Sequence, residues 1–209
     1  MTNGENKISP FSALMRFLTD NSGTIIKVLI HQFGLTVFGF LLYSASATSE
    51  STPLILGLSI FSAVFYLILL YVMFWDNGAK DKIRIDGGRL KRDCFKGAKI
   101  SLIASIPNLL LCVFSIIGFF CIDKTAIDAN GNYATPEWAA NMYGIAQIIG
   151  IFLNSMYTGI GDVTGLDVNP FYLMIITVPT IIVCGLGYFF GTYEMLGVFT
   201  SAPKDTKKR

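Results

Sequence analysis

Five stretches of the chain carry no Asp, Glu, Lys or Arg: 28–49, 51–75, 100–122, 138–161 and 168–193. Each has at least 22 residues, and roughly 20 apolar residues span the hydrocarbon core of a bilayer as a helix. One of the five is two-faced. In 138–161, Ile145, Ile148, Ile149, Phe152 and Met156 form an apolar face at helical spacing, while Tyr143, Gln147, Gly150, Asn154 and Tyr157 fall on the other. That pattern fits a helix packed on the outer side or re-entering from it. It also fits a crossing helix whose polar face lines a bundle interior.

Helix starts are well marked. Ser9-Pro10, Thr52-Pro53, Thr135-Pro136 and Asn169-Pro170 each pair a capping side chain with proline at the first helical position. The cap oxygen accepts an orphan backbone N–H, and proline lacks the N–H that would go unbonded there. These pairs predict helices over 10–19, 53–75, 136–158 and 170–199, with further spans at 24–46 and 95–122. Phe11, Leu14, Met15 and Leu18 form an i, i+3, i+4, i+7 stripe, which predicts a short amphipathic helix on the inner membrane face. Two hairpins are expected in the loops. Ile83 and Ile85 alternate before Asp86-Gly87-Gly88, and Asn130-Gly131 marks a second turn. Trp75, Trp138 and Tyr43 fall near the predicted membrane boundaries, where amphipathic rings settle.

Composition agrees with a membrane setting: 53% of residues are hydrophobic and 14% charged, against roughly a quarter charged in soluble domains. The first 23 residues lack a basic-then-apolar signal peptide, so no cleavable leader is expected. Charge distribution sets the orientation. Eight of the sixteen Lys and Arg lie in 76–99, four lie in the tail 200–209, and Lys7 and Arg16 precede the first span. The 47–52 connection has none, and 123–137 has only Lys124. Basic residues stay on the cytoplasmic side of short loops. Both termini and the 76–99 loop are therefore expected in the cytoplasm, and two cytoplasmic termini require an even number of crossings.

The expected architecture is an all-α membrane protein. It has a four-crossing bundle over 24–199, with spans at 24–46, 53–75, 95–122 and 170–199 and an outer-side or re-entrant helix at 136–158. A cytoplasmic tail at 1–23 carries the interfacial helix, and 200–209 forms a basic tail.

Polar groups inside the spans are the candidates for chemistry. Counted at about 1.5 Å per residue from the cytoplasmic ends, His31, Asn108 and Glu194 come to similar depths, roughly 10 Å in. Ionisable groups within a span are costly and tend to pair or to mark pathways. The three define a candidate intramembrane polar cluster, read either as a proton or ion site or as a structural pair with Lys27 snorkelling to water. Pro107 and Pro179 interrupt two spans, which serves packing geometry in most helices and binding sites in some transporters. Gly187 and Gly191 have the GxxxG spacing of close helix contact.

Enzyme signatures are missing. One histidine excludes HExxH and multi-His metal sites. The glycine-rich runs lack the order of a phosphate loop, and no GxSxG elbow is present. "DANGNYATPEW" puts Tyr133 where a calcium loop needs glycine. The four cysteines form neither a metal pattern nor a disulfide framework. No catalytic residue, metal or cofactor is expected. The 76–99 loop carries eight bases and four acids, a net +4. Lys82, Arg84, Arg89, Lys91 and Arg92 are its candidate contacts to anionic inner-leaflet lipids or a protein partner, each base contributing about 1 kcal/mol near an anionic surface. The interleaved acids disfavour nucleic acid.

The run "WDNGAKDKIRIDGGRLKRDCFKGAKISLIASIPN", residues 75–108, resembles a group of small multi-pass membrane proteins of Gram-positive gut-type bacteria. The resemblance implies a bacterial plasma-membrane protein and carries no activity or site residues. The function expected is a non-enzymatic membrane subunit or scaffold, as a homo-oligomer or with a protein partner. The alternative is a small ion or solute transporter or channel built on the polar cluster.

Overall fold

In the computed structural model, which describes residues 9–49, 51–122 and 136–195, Ser9 stands in extended backbone ahead of Pro10. Its Oγ accepts the Ser12 N–H at 3.2 Å, and the helix it starts, α1, runs without a break from Pro10 to Ala47. The short helix expected at 10–19 is thus the beginning of the first long one. Nothing between them forces a break: Asn21 bonds back to the Phe17 carbonyl at 2.8 Å, and Phe17 and Ile25 both pack on the core. The next helix, α2, spans Thr52–Asp86. At 1.5 Å per residue, these helices of 38 and 35 residues reach about 57 and 52 Å, well beyond the roughly 30 Å hydrocarbon core. Ala47 and Thr52 are close in sequence, so the surplus length of both emerges at the opposite, charged end.

The 76–99 region is therefore half helix. Its Asp-Gly-Gly does supply a positive φ, at Gly88 (68°), but to stop α2 rather than to turn a hairpin. Arg89 N–H donates to the Arg84 carbonyl and Gly88 N–H to the Ile85 carbonyl, both at 2.9 Å, the paired bonds of a Schellman motif. Asp93 then holds the turn that leads into the next helix, its Oδ1 accepting the Phe95 N–H at 3.1 Å. The second expected hairpin lies outside the described residues, among which no strand occurs.

The third span is broken. α3 (Lys96–Ala104) and α4 (Ile106–Cys121) meet at Ser105 with a 54° bend. Pro107 has no N–H to return to the Ile103 carbonyl and its ring crowds that turn. α5 (Glu137–Leu153) follows, and a single 3-10 turn at Ser155–Tyr157 leads into α6 (Thr158–Thr164). α7 covers Tyr172–Thr192, ending short of the expected 199. Asn169 Oδ1 accepts the Phe171 N–H at 2.9 Å and prepares its start. By length and composition α1, α2 and α7 can each cross a membrane, and the bent α3–α4 pair makes a fourth candidate.

α2 and α7 share the most extensive helix contact, made possible by small residues. A Cβ at Gly187 would stand 2.8 Å from the Tyr71 carbonyl oxygen, and one at Gly191 would collide with the Trp75 carbonyl. The GxxxG of α7 is a contact within the chain. Around this seam the core gathers Tyr66, Leu70, Phe74, Ile100, Leu173, Cys184 and Tyr188.

Candidate functional site

Two polar assemblies stand out, one at the charged end and one inside the bundle. The first follows from the stripe α2 buries. Ser59, Ser62, Ala63, Tyr66, Leu70, Phe74, Gly78 and Asp81 recur at intervals of three and four, so Asp81 faces inward. Its Oδ2 accepts Lys96 Nζ from α3 at 2.6 Å and the Tyr188 hydroxyl from α7 at 2.9 Å. Arg84 Nη1 lies 3.5 Å from the Oδ1. The carboxylate thus joins three helices, and a buried charge with such partners is held in place by them. Beside it lies a cavity of about 190 Å³, lined by α1, α2, α3 and α7.

The second assembly lies where broken helices meet. Asn108, at the start of α4, and Asn154, just past α5, are both buried. Their carboxamides pair reciprocally, each Nδ2 donating to the other's Oδ1 at 3.3 Å. A helix end leaves four carbonyls without intrahelical donors, and in lipid each must be satisfied by protein. The end of α5 meets this demand. The Gly150 carbonyl takes Asn154 Nδ2 at 2.8 Å and its N–H at 3.1 Å, and Ile151 shares that N–H at 3.2 Å. Ser155 Oγ donates to Phe152, and Thr36 Oγ1 of α1 donates to Leu153 at 2.7 Å. Farther along, the Tyr172 hydroxyl reaches the Tyr157 carbonyl at 2.9 Å.

His31, Asn108 and Glu194 do not bond to one another; each has its own partner. His31 Nδ1 donates to the Lys27 carbonyl at 2.7 Å on a partly exposed face of α1. Asn108 belongs to the amide pair. Glu194 lies beyond the last turn of α7 in left-handed conformation (φ 53°), exposed, with its carboxylate 2.7 Å from Lys82 Nζ. Counting depth along straight spans put the three at similar depths, whereas the third span bends at Ser105 and α7 stops at Thr192, before Glu194. Among the loop candidates, Lys82 holds Glu194, Arg84 flanks Asp81, and Arg92 lies over the Tyr193 ring at 5.0 Å. Arg89 and Lys91 are exposed, and no side-chain partner for them occurs among the described residues.

Sequence reasoning missed Asp81, Lys96, Tyr188 and Asn154. Asp81 had a signal, the continuation of the α2 stripe past Phe74; Asn154 had only its place on a polar face. Among the described residues, no group of three His, Cys, Asp or Glu side chains is arranged to hold a metal ion. No protein-family model, curated protein or solved structure matches this chain.

Proposed function

We propose that this membrane protein is a non-enzymatic scaffold or subunit of a bacterial plasma membrane. In this reading α1, α2, α3–α4 and α7 cross the bilayer, and α5, the 3-10 turn and α6 form an element that enters and leaves from the outer side. The charged end faces the cytoplasm, as the bias of basic residues favours. There the overshooting ends of α1 and α2 hold out a basic surface, with Arg89 and Lys91 free to meet an anionic partner protein or inner-leaflet lipids.

The observation that carries the reading is the closure of the broken helices. The four carbonyls released at the end of α5 all take donors from the protein itself. A transporter that uses a helix break as its binding site leaves such groups for the solute. Transport is the second reading, favoured by the meeting of two helix breaks at Asn108 and Asn154.

Gentle affinity purification with native lipids, followed by mass determination, tests the proposal. A second polypeptide at fixed stoichiometry, released by the double variant Arg89→Glu, Lys91→Glu, is the expected result. Orientation is verified in the same variant, because reversing these charges can invert the topology. A lone protein that moves ions or solute in proteoliposomes would overturn it.

A further inference from the structure

The cavity beside Asp81 has more hydrogen-bond donors around it than acceptors. Asp81 is committed, with Lys96 and Tyr188 on one oxygen and Arg84 near the other. Asn77 Nδ2 is buried among the lining groups, with no hydrogen-bond partner among the described residues. A buried amide donor left unpaired costs about 1–3 kcal/mol, a cost that an acceptor entering the cavity would relieve. Arg84 spends one nitrogen of its five-donor fork on Asp81 at 3.5 Å and has no further side-chain partner among the described residues. Lys96 retains two ammonium protons beyond the one given to Asp81. Asp20, also in the lining, has Arg16 Nε at 3.9 Å as its ion-pair partner among the described residues.

The location narrows the chemistry. Thr24 and Asn77 line the cavity and lie just outside the charge-free runs 28–49 and 51–75, whereas Ile100 and Tyr188 lie within theirs. The cavity thus straddles the level at which apolar helix surface gives way to charge, where bilayer headgroups lie. Its 190 Å³ is well above the ~10–15 Å³ that one water needs on the same measure, room for a tetrahedral oxyanion.

We propose that this cavity is a phosphate-group site. The Arg84 fork and Lys96 Nζ donate to the anionic oxygens, the buried Asn77 amide turns toward them, and Lys80 stands at the rim already paired with Asp76. The phosphate belongs either to an anionic lipid of the adjoining leaflet or to a free anion in the cytoplasm. Specificity comes from the buried amide, which reads an acceptor at one position, and not from net charge, because Asp20 and Asp81 line the same cavity and Asp76 holds Lys80. The site is distinct from the Arg89 and Lys91 surface and holds whether or not a protein partner exists.

The experiment uses the full chain, delipidated in a neutral detergent, with thermal unfolding and native mass spectrometry as readouts. Phosphatidylglycerol, phosphatidylcholine and inorganic phosphate (against chloride at equal ionic strength) are added separately. A lipid site retains one phosphatidylglycerol per chain in preference to phosphatidylcholine; a free-anion site gives a saturable rise in Tm with inorganic phosphate alone. In either case Asn77→Leu and Arg84→Gln weaken binding about tenfold each, the effect of losing one charge-assisted hydrogen bond. Arg84 is exposed, so Arg84→Gln remains informative should Asn77→Leu not fold. Absence of saturable binding by both probes overturns the proposal. So does binding that survives both substitutions.

Discussion

Asp81 and Lys96 meet at 2.6 Å with side chains only 9% and 17% exposed, fifteen positions apart and on different helices. Their pairing locks the overshooting end of α2 to the start of α3, and the Tyr188 hydroxyl ties α7 to the same carboxylate. Removing one partner of a buried pair leaves the other charge unpaired, at about 3–5 kcal/mol. Asp81→Ala should therefore destabilise the protein by about that amount, and Tyr188→Phe by about 1.5 kcal/mol, the worth of a hydrogen bond to a charged acceptor. The double variant Asp81→Leu, Lys96→Met should recover much of the loss, since apolar replacements of a buried pair are often neutral. Unfolding in detergent across the cycle measures the coupling; strict additivity would mean the pair contributes nothing as a pair.

Glu194 leads to the opposite expectation. It holds the left-handed position at the end of α7, where its N–H donates to the Gly191 carbonyl at 3.1 Å and that of Met195 to Phe190 at 2.9 Å. Glycine suits that position best, and a side chain there costs about 1 kcal/mol. The exposed pair with Lys82 offsets less than about 1 kcal/mol of this. Glu194→Gly should leave Tm unchanged or raise it by a few degrees. A Tm several degrees lower would show that the carboxylate matters more than its exposure implies.

Those helix stops explain how far the sequence could be read. The positive φ expected from Asp86-Gly87-Gly88 is present at Gly88, but such a residue serves a hairpin or a helix stop equally well. What decides is the preceding chain. The alternation of Ile83 and Ile85 argued for a strand; the fold shows that the charges decide, with Asp76 and Lys80 four residues apart and Asp81 and Arg84 three apart forming ion pairs along a helix. Membrane-length helices were legible because freedom from charge over such lengths leaves few alternatives. The partners of His31, Asn108 and Glu194 were not, because counting depth does not say which groups meet. Pro107 marked the interruption of the third span, but no local pattern says which buried amide will meet Asn108, and that partner lies 46 residues away.

The α2–α7 seam admits a sharper test than its glycine spacing alone. At Gly191 a new Cβ collides with the Trp75 carbonyl, which is backbone and cannot rotate aside. Gly191→Leu should force the helices apart and cost about 3 kcal/mol or more, at the upper end of overpacking effects. Gly23→Ala, where nothing lies within 4 Å, should stabilise by up to about 1 kcal/mol through helix propensity. Equal behaviour of the two in a folding assay would remove the seam from the account.

Asn108 and Asn154 supply the last discriminating pair. Interhelical hydrogen bonds within membranes average about 0.6 kcal/mol and reach about 1.7 kcal/mol, so the reciprocal amide pair should contribute at the upper end of that range. Asn108→Leu removes one member and leaves the Asn154 carboxamide with the Gly150 carbonyl alone. Asn154→Leu also strips a donor from that carbonyl and should be the more costly, by about 1 kcal/mol. If the pair only closes the helix breaks, both variants lose stability, and a second site elsewhere, such as Arg89, responds to its partner as before. If the pair lies on a transport route, flux falls in Asn108→Leu by more than the folded fraction does, and the closure of the broken helices is then one state of a cycle. Flux normalised to folded protein, measured in the same proteoliposomes, separates the two.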